Sequence, residues 1–166
     1  GLPLTSPSPE LRYSASVTSG GKTQNIYASV PGFAQDSGQL YKSTDAGATY
    51  SLVTSGTGAF WYTNSLWINP FDDNFVVLGG YPSFFRSTNG GVTFQTLVYS
   101  RPPWVDYHAI AADPNFNNTT NKRLFVGSDQ APSVTADISA PWDTVNDPYC
   151  EAPTCIKFSN MGWGLP

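Results

Sequence analysis

The chain has 166 residues, enough for one domain that buries ~70% of its unfolded surface. Only 12% of residues are charged, and 8 Lys and Arg against 12 Asp and Glu leave a net charge of -4. This excludes the basic footprint of a nucleic-acid binder, and no apolar run reaches the ~18 residues of a membrane span.

Fifteen Gly and fourteen Pro argue against long helices, while nine Tyr, ten Phe and five Trp suit pleated, half-buried surfaces. The lead segment 1–10, GLPLTSPSPE, has no initiator Met and reads as the start of a mature or cut chain. From residue 11 onward the chain repeats itself. The turn STDAGATY at 43–50 returns as STNGGVTF at 87–94, 44 residues on, and as a worn copy, TADISAPW, at 135–142. Ahead of each turn lies a strand-like run: NIYASV at 25–30, NFVVLGG at 74–80 and RLFVGSD at 123–129. Ahead of two of those runs lie SLWINPFDDN at 65–74 and HAIAADPNFNN at 108–118, broken by proline and acidic turn residues. The slot in the first unit is filled by LRYSASVTSGGKTQN at 11–25.

Each unit therefore predicts four short strands in chain order, with units at 11–54, 55–98 and 99–145 and a C-terminal segment at 146–166. The last strand of each unit is expected to follow the turn, as YSLVTS, FQTLVYS and WDTVND. No segment carries a helical period, so the fold class is all-β. In the repeated turn an Asp or Asn side chain accepts backbone amides, a glycine takes positive φ, and a closing aromatic packs on its own sheet. These roles fall to Ser43, Asp45, Gly47 and Tyr50; to Ser87, Asn89, Gly91 and Phe94; and to Thr135, Asp137 and Trp142, where Ser139 replaces the glycine.

The pattern S-x-D-x-G-x-x-[FYW] resembles the Asp-box, or BNR repeat, of β-propellers such as sialidases, sortilin-type receptors, xyloglucanase-type glycoside hydrolases and photosystem assembly factors. The resemblance implies four-stranded antiparallel blades, about three of them, over roughly residues 11–145. Propellers usually close with 4–8 blades. The expectation is therefore a piece of a larger propeller, with a partial fourth blade or association through open edges as alternatives.

In such a blade the repeated turns mark one end, and the crossovers between units mark the other. The crossovers are aromatic, and loops on a rigid scaffold concentrate binding residues. Trp61, Tyr62, Arg101, Trp104, Asp106, Tyr107 and His108 are the candidate ligand-binding residues. Against this stands the reading in which such rings fill the wedge between blades. Asn117 and Asn118 each begin an N-x-T acceptor for N-glycosylation, in a turn at the other end. Cys150 and Cys155 either close a short disulfide, which points to an oxidising compartment, or stay as two thiols. His108 is the only histidine, so no zinc pattern exists, and no cofactor is expected.

Asp36, Asp106 and Asp129 fall in loops at the crossover end, but nothing pairs them as glycosidase acids. The sialidase resemblance implies an arginine triad, a Phe-Arg-Ile-Pro stretch and a Tyr-Glu pair. The four arginines, Arg12, Arg86, Arg101 and Arg123, lie in no such stretch, and the only glutamates are Glu10 and Glu151. The first expectation is a non-catalytic, extracellular or cell-surface module that binds protein or carbohydrate or builds a surface assembly. The alternatives are a fragment of a propeller glycoside hydrolase and a structural subunit of a filament or layer.

Overall fold

The structure, a computed structural model, describes residues 2, 12–15, 25–34, 37–81, 84–98, 106–129, 132–140 and 159–160. Among these residues there is no helix, and no helix is long and apolar enough to cross a membrane. Three four-stranded antiparallel sheets account for all the named strands. Sheet 1 runs β1 (Arg12–Ala15), β2 (Ile26–Val30), β3 (Gly38–Ser43), β4 (Ser51–Thr57). Sheet 2 runs β5 (Ser65–Asn69), β6 (Asp72–Gly79), β7 (Phe84–Ser87), β8 (Gln95–Val98). Sheet 3 runs β9 (Tyr107–Ala112), β10 (Leu124–Ser128), β11 (Ser133–Thr135), β12 (Ser159–Asn160). Each is an up-and-down meander, and the first strands are neighbours, with β5 between β1 and β9.

Sheet 2 is the middle layer, and its sequence explains how. Successive side chains on a strand face opposite ways. Leu66 and Ile68 of β5, with Val76 and Leu78 of β6, turn toward sheet 1 and pack with Tyr27 and Leu40. Trp67, Phe75, Val77 and Phe84 turn the other way and pack with Tyr107, Leu124 and Val126 of sheet 3. With both faces covered, β5 is buried throughout, and alternation disappears from its sequence. On β9 of sheet 3, by contrast, Ala109 and Ala111 are exposed while Ile110 and Ala112 pack on the core, and Tyr107 is buried ahead of a register shift.

Polar clasps fix the layers in register. Ser29 Oγ donates to Asn64 Oδ1 at 2.6 Å, and Asn64 Nδ2 returns a bond to the Ser29 carbonyl at 3.2 Å. Asp73, near the start of β6, accepts from Asn25, just before β2, and from Lys42 of β3, and its carbonyl takes the Tyr27 hydroxyl at 2.9 Å. Arg86 of β7 reaches into sheet 3, where it donates to the carbonyls of Ile138 and Ala140 at 2.8 Å each.

The turns at 43–50 and 87–94 have the same internal bonding. Ser43 Oγ donates to Asp45 and accepts the Gly47 amide at 2.8 Å; Ser87 Oγ donates to Asn89 and accepts the Gly91 amide at 2.9 Å. Asp45 Oδ1 accepts the Thr49 amide, and Asn89 Oδ1 accepts that of Thr93. Gly47 sits at φ 91 and Gly91 at φ 86, the left-handed region that glycine enters without strain. Tyr50 packs against Ala28, Val30 and Tyr41 of its own sheet, and Phe94 joins the layer between sheets 1 and 2.

The third copy differs. Asp137 still accepts from the Ser139 amide and hydroxyl, but Thr135 Oγ1 is buried without a hydrogen-bond partner among the described residues. The reason is Ile138, which is 1% exposed and sits in the core, with its amide on the Lys122 carbonyl. A chain pinned inward at this point cannot form the glycine-type turn. The expected fourth strand WDTVND lies outside the described residues, apart from which β11 pairs with β12 at Ser159–Asn160. Sheet 3 thus takes its fourth strand from within 146–166. Trp142, Cys150 and Cys155 also lie outside the described residues.

Donation from the Thr49 hydroxyl, the Thr49 amide and the Ser43 hydroxyl holds the Asp45 carboxyl down at about 2. Its folded value lies below the ordinary 3.8, so its contribution to stability is full above that value and is lost as pH falls toward 2. Asn89 makes the equivalent contacts without a charge. Asp45→Asn is therefore expected to melt close to the native chain at pH 7 and to lose less stability between pH 4 and pH 2. Thermal melts across that range check it.

Candidate functional site

The crossover from sheet 1 to sheet 2, residues 58–64, meets the β2–β3 turn, the β6–β7 turn and the start of β9. The Gly32 amide donates to the Ala59 carbonyl at 3.2 Å, and the Tyr81 amide donates to the Gly58 carbonyl at 2.8 Å. Phe60 and Thr63 exchange backbone bonds at 2.9 and 3.1 Å, which curls residues 60–63 into a tight loop. That loop pushes Trp61 outward, where it is 50% exposed.

The rings cluster. Trp61 and Tyr62 meet edge to face at 4.7 Å, Phe60 and Tyr62 at 5.4 Å, and Phe60 lies 6.1 Å from Tyr81. Tyr62 in turn lies 6.5 Å from the ring of His108. The row passes from sheet 1 through the crossover to sheet 3, with exposed Phe33 at the near side, beside the Gly32–Phe60 bridge.

The polar groups gather at the sheet 3 side. His108 Nδ1 lies 3.1 Å from the Tyr62 carbonyl, and its Nε2 lies 2.6 Å from Asp129 Oδ1. Both partners only accept, so both contacts are hydrogen bonds together only when both ring nitrogens carry protons. The Asp129 amide donates to the Asp106 carbonyl at 3.3 Å, tying the loops before β9 and after β10. Asp106 adopts φ 68, an uncommon conformation for a residue other than glycine. Its Oδ1 is buried with no hydrogen-bond partner among the described residues. Burial, followed by the neighbouring Asp106 carboxylate, pushes the Tyr62 hydroxyl above its ordinary pKa.

Of the residues expected to bind ligand, Trp61, Tyr62, Asp106 and His108 come together at this end. Tyr107 does not join them. It is 1% exposed, lies 5.2 Å from Phe84 in the layer between sheets 2 and 3, and burial pushes its hydroxyl pKa well up. The reason is a register shift in β9: Gly127 pairs with Ala109 and Ser128 with Tyr107, so His108 is the extra residue between them. Arg101 and Trp104 lie outside the described residues. Tyr81 and Phe33 were not singled out from the sequence, and the Gly-Gly before Tyr81 was the available sign of a close approach there. At the opposite end, Asn117 and Asn118 occupy the β9–β10 turn, where Asn118 Oδ1 accepts from Asn69 at 2.7 Å and Asn117 is exposed.

No protein-family model matches the chain, and no curated protein matches it. Solved structures do. The GH74 enzyme of Niastella koreensis superposes with a TM-score of 0.62 at 16% identity, over 90% of this chain and 22% of that one. The GH74 xyloglucanase of Xanthomonas campestris gives a TM-score of 0.54 at 14% identity, over 75% and 22%. YCF48 bound to D1 peptide gives 0.51 at 16% identity, over 79% and 38%. The architecture is that of β-propeller blades. The chain spans about a fifth of the length of the two GH74 proteins and under two fifths of YCF48.

Proposed function

We propose that this chain is an Asp-box β-propeller module, extracellular or at the cell surface, that binds protein or carbohydrate without catalysing a reaction. The ligand lies across the crossover end, on the row from Phe33 through Trp61 and Tyr62 to His108. The observation that carries this reading is Trp61, a large ring half exposed on top of a packed aromatic cluster. Aromatic anchors that a partner desolvates, rather than total area, dominate binding energy. The turns at 43–50 and 87–94 are the structural Asp-boxes and stand at the other end.

A second reading has a specific observation in its favour. Asp106 and Asp129 sit in one loop cluster, and two of the similar structures are GH74 enzymes. In that reading the chain is part of a glycoside hydrolase whose acids lie partly elsewhere. Asp129 is already engaged with His108 at 2.6 Å, which supports the binding reading over this one.

The test is a panel of neutral oligosaccharides and short peptides titrated against the chain and against Trp61→Ala. A ligand that binds the native chain is expected to lose about 2 kcal/mol, roughly 30-fold, on that substitution. Equal binding by both proteins would remove the site, and hydrolysis of a glycan that stops in Asp106→Asn would favour the second reading.

A further inference from the structure

We infer that Asn89 is a site of spontaneous covalent modification, deamidation to aspartate, which the folded turn at 87–94 holds back until that turn opens. Asn89–Gly90 is the only Asn-Gly pair in the chain. In such a pair the glycine amide nitrogen attacks the side-chain amide carbon, and no Cβ on the glycine stands in its way. Ammonia leaves, a five-membered imide closes, and water opens it at either carbonyl to give aspartate or isoaspartate. The net change is one water taken up and one ammonia lost, with no oxidant or cofactor. The inference is independent of the binding face proposed above.

The fold engages both reacting groups elsewhere. The Gly90 amide donates to the carbonyl of Asn74 in β6 at 2.8 Å, and Gly90 is buried although Asn89 is exposed. The Asn89 side chain is held on Thr93. Its Oδ1 accepts the Thr93 amide at 3.0 Å and the Ser87 hydroxyl at 2.8 Å, and its Nδ2 donates to Thr93 Oγ1 at 2.8 Å. Bringing the amide carbon onto the Gly90 nitrogen breaks these bonds and the Asn74 bond together, so the reaction waits for local opening. The first turn shows what an aspartate does in this place. Asp45 accepts the Ser43 hydroxyl, the Thr49 amide and the Thr49 hydroxyl. An aspartate at position 89 needs only the Thr93 hydroxyl to change from acceptor to donor, and it then completes a second turn of the Asp45 kind. Isoaspartate instead adds a methylene to the main chain and withdraws the carboxylate from that place.

The experiment holds the full 166-residue chain at pH 8 in buffer and, separately, in urea, and follows the tryptic peptide that begins at Ser87 for the mass gain of an amide turned to acid. In urea Asn89 is expected to react ahead of every other asparagine. In buffer it is expected to react at least about tenfold more slowly, because only the open fraction reacts. Thr93→Val removes the acceptor of Asn89 Nδ2. It is expected to speed the reaction in buffer about fivefold, the weight of one lost hydrogen bond, and to leave the rate in urea unchanged. Asn89→Asp is expected to melt no lower than the native chain at pH 7 and to show no mass gain. Equal rates in buffer and urea would overturn the protection by the turn, and no reaction at Asn89 in urea would overturn the site. An unchanged buffer rate in Thr93→Val would overturn the part given to the side-chain clamp. A lower melting temperature for Asn89→Asp would overturn aspartate as the product that the turn accepts.

Discussion

Arg86→Ala is expected to cost about 2–4 kcal/mol, because hydrogen bonds from a charged group contribute ~1.5–3 kcal/mol and this residue makes several. Arg86 is 8% exposed, and burial pulls its guanidinium below its ordinary pKa. Its Nη1 donates to the carbonyls of Ile138 and Ala140, and its Nη2 donates to Gln95 at 3.0 Å. Alanine removes the donors and leaves two backbone carbonyls of sheet 3 facing a void. Water entering from the Gln95 side limits the loss, which places the estimate below the sum of the separate bonds. Arg86→Lys is expected to recover only part of it, since one ammonium on a flexible stem does not reproduce the fork. Urea unfolding of the three proteins checks this, and a loss under about 0.5 kcal/mol, the size of an ordinary surface change, would mean that Arg86 does not join sheets 2 and 3.

Gly80→Ala is expected to cost as much and to disturb the site as well. A Cβ at Gly80 overlaps the carbonyl group of Gly58 and comes within 2.9 Å of the Ala59 amide nitrogen. These are backbone atoms, so no rotamer change relieves the clash. The crossover and the β6–β7 turn must part, which breaks the Tyr81–Gly58 bond that seats Tyr81 against Phe60. Overpacking of this kind costs about 1–3 kcal/mol, and the absence of a yielding side chain places this site at the upper end. Gly127→Ala is the control, since its Cβ would lie 3.6 Å from that of Ala109, an ordinary contact. The pair is compared by urea unfolding and by the aromatic ring-current shifts of Trp61 and Tyr62. Equal stability in the two variants would deny the close approach.

The sheets were legible because the repeat was. The Ser-x-Asp/Asn-x-Gly turns stand 44 residues apart, and the strands between them fall where the runs NIYASV, SLWIN, NFVVLGG and RLFVGSD place them. Weak alternation in β5 and β6 was not a failure of the strand pattern. It is what a sheet covered on both faces writes into its sequence. The third turn was harder to read, because spacing preserved Thr135 and Asp137 while Ile138 was recruited to the core. The aromatic loop at 60–62 was visible as a binding candidate, but its partners were not. Tyr107 looked like its neighbours Asp106 and His108 until the register shift at His108 separated them. The approach of Gly58 to Gly80, which sets the floor of the cluster, is a tertiary event between residues 22 apart, and local sequence encodes only the glycines.

The most direct test of the account is a nuclear Overhauser spectrum of the chain, read for the rings of Trp61, Tyr62 and His108. Sheet stacking brings the crossover before sheet 2 against the first strand of sheet 3, with Tyr62 and His108 at 6.5 Å and Trp61 and Tyr62 at 4.7 Å. The account predicts cross-peaks along the series Trp61–Tyr62–His108, together with Trp67–Phe116 peaks from the core between the same two sheets, where the rings lie 5.2 Å apart. Core peaks without the Tyr62–His108 peak would contradict the shared site, and loss of both would contradict the packing of the sheets that creates it.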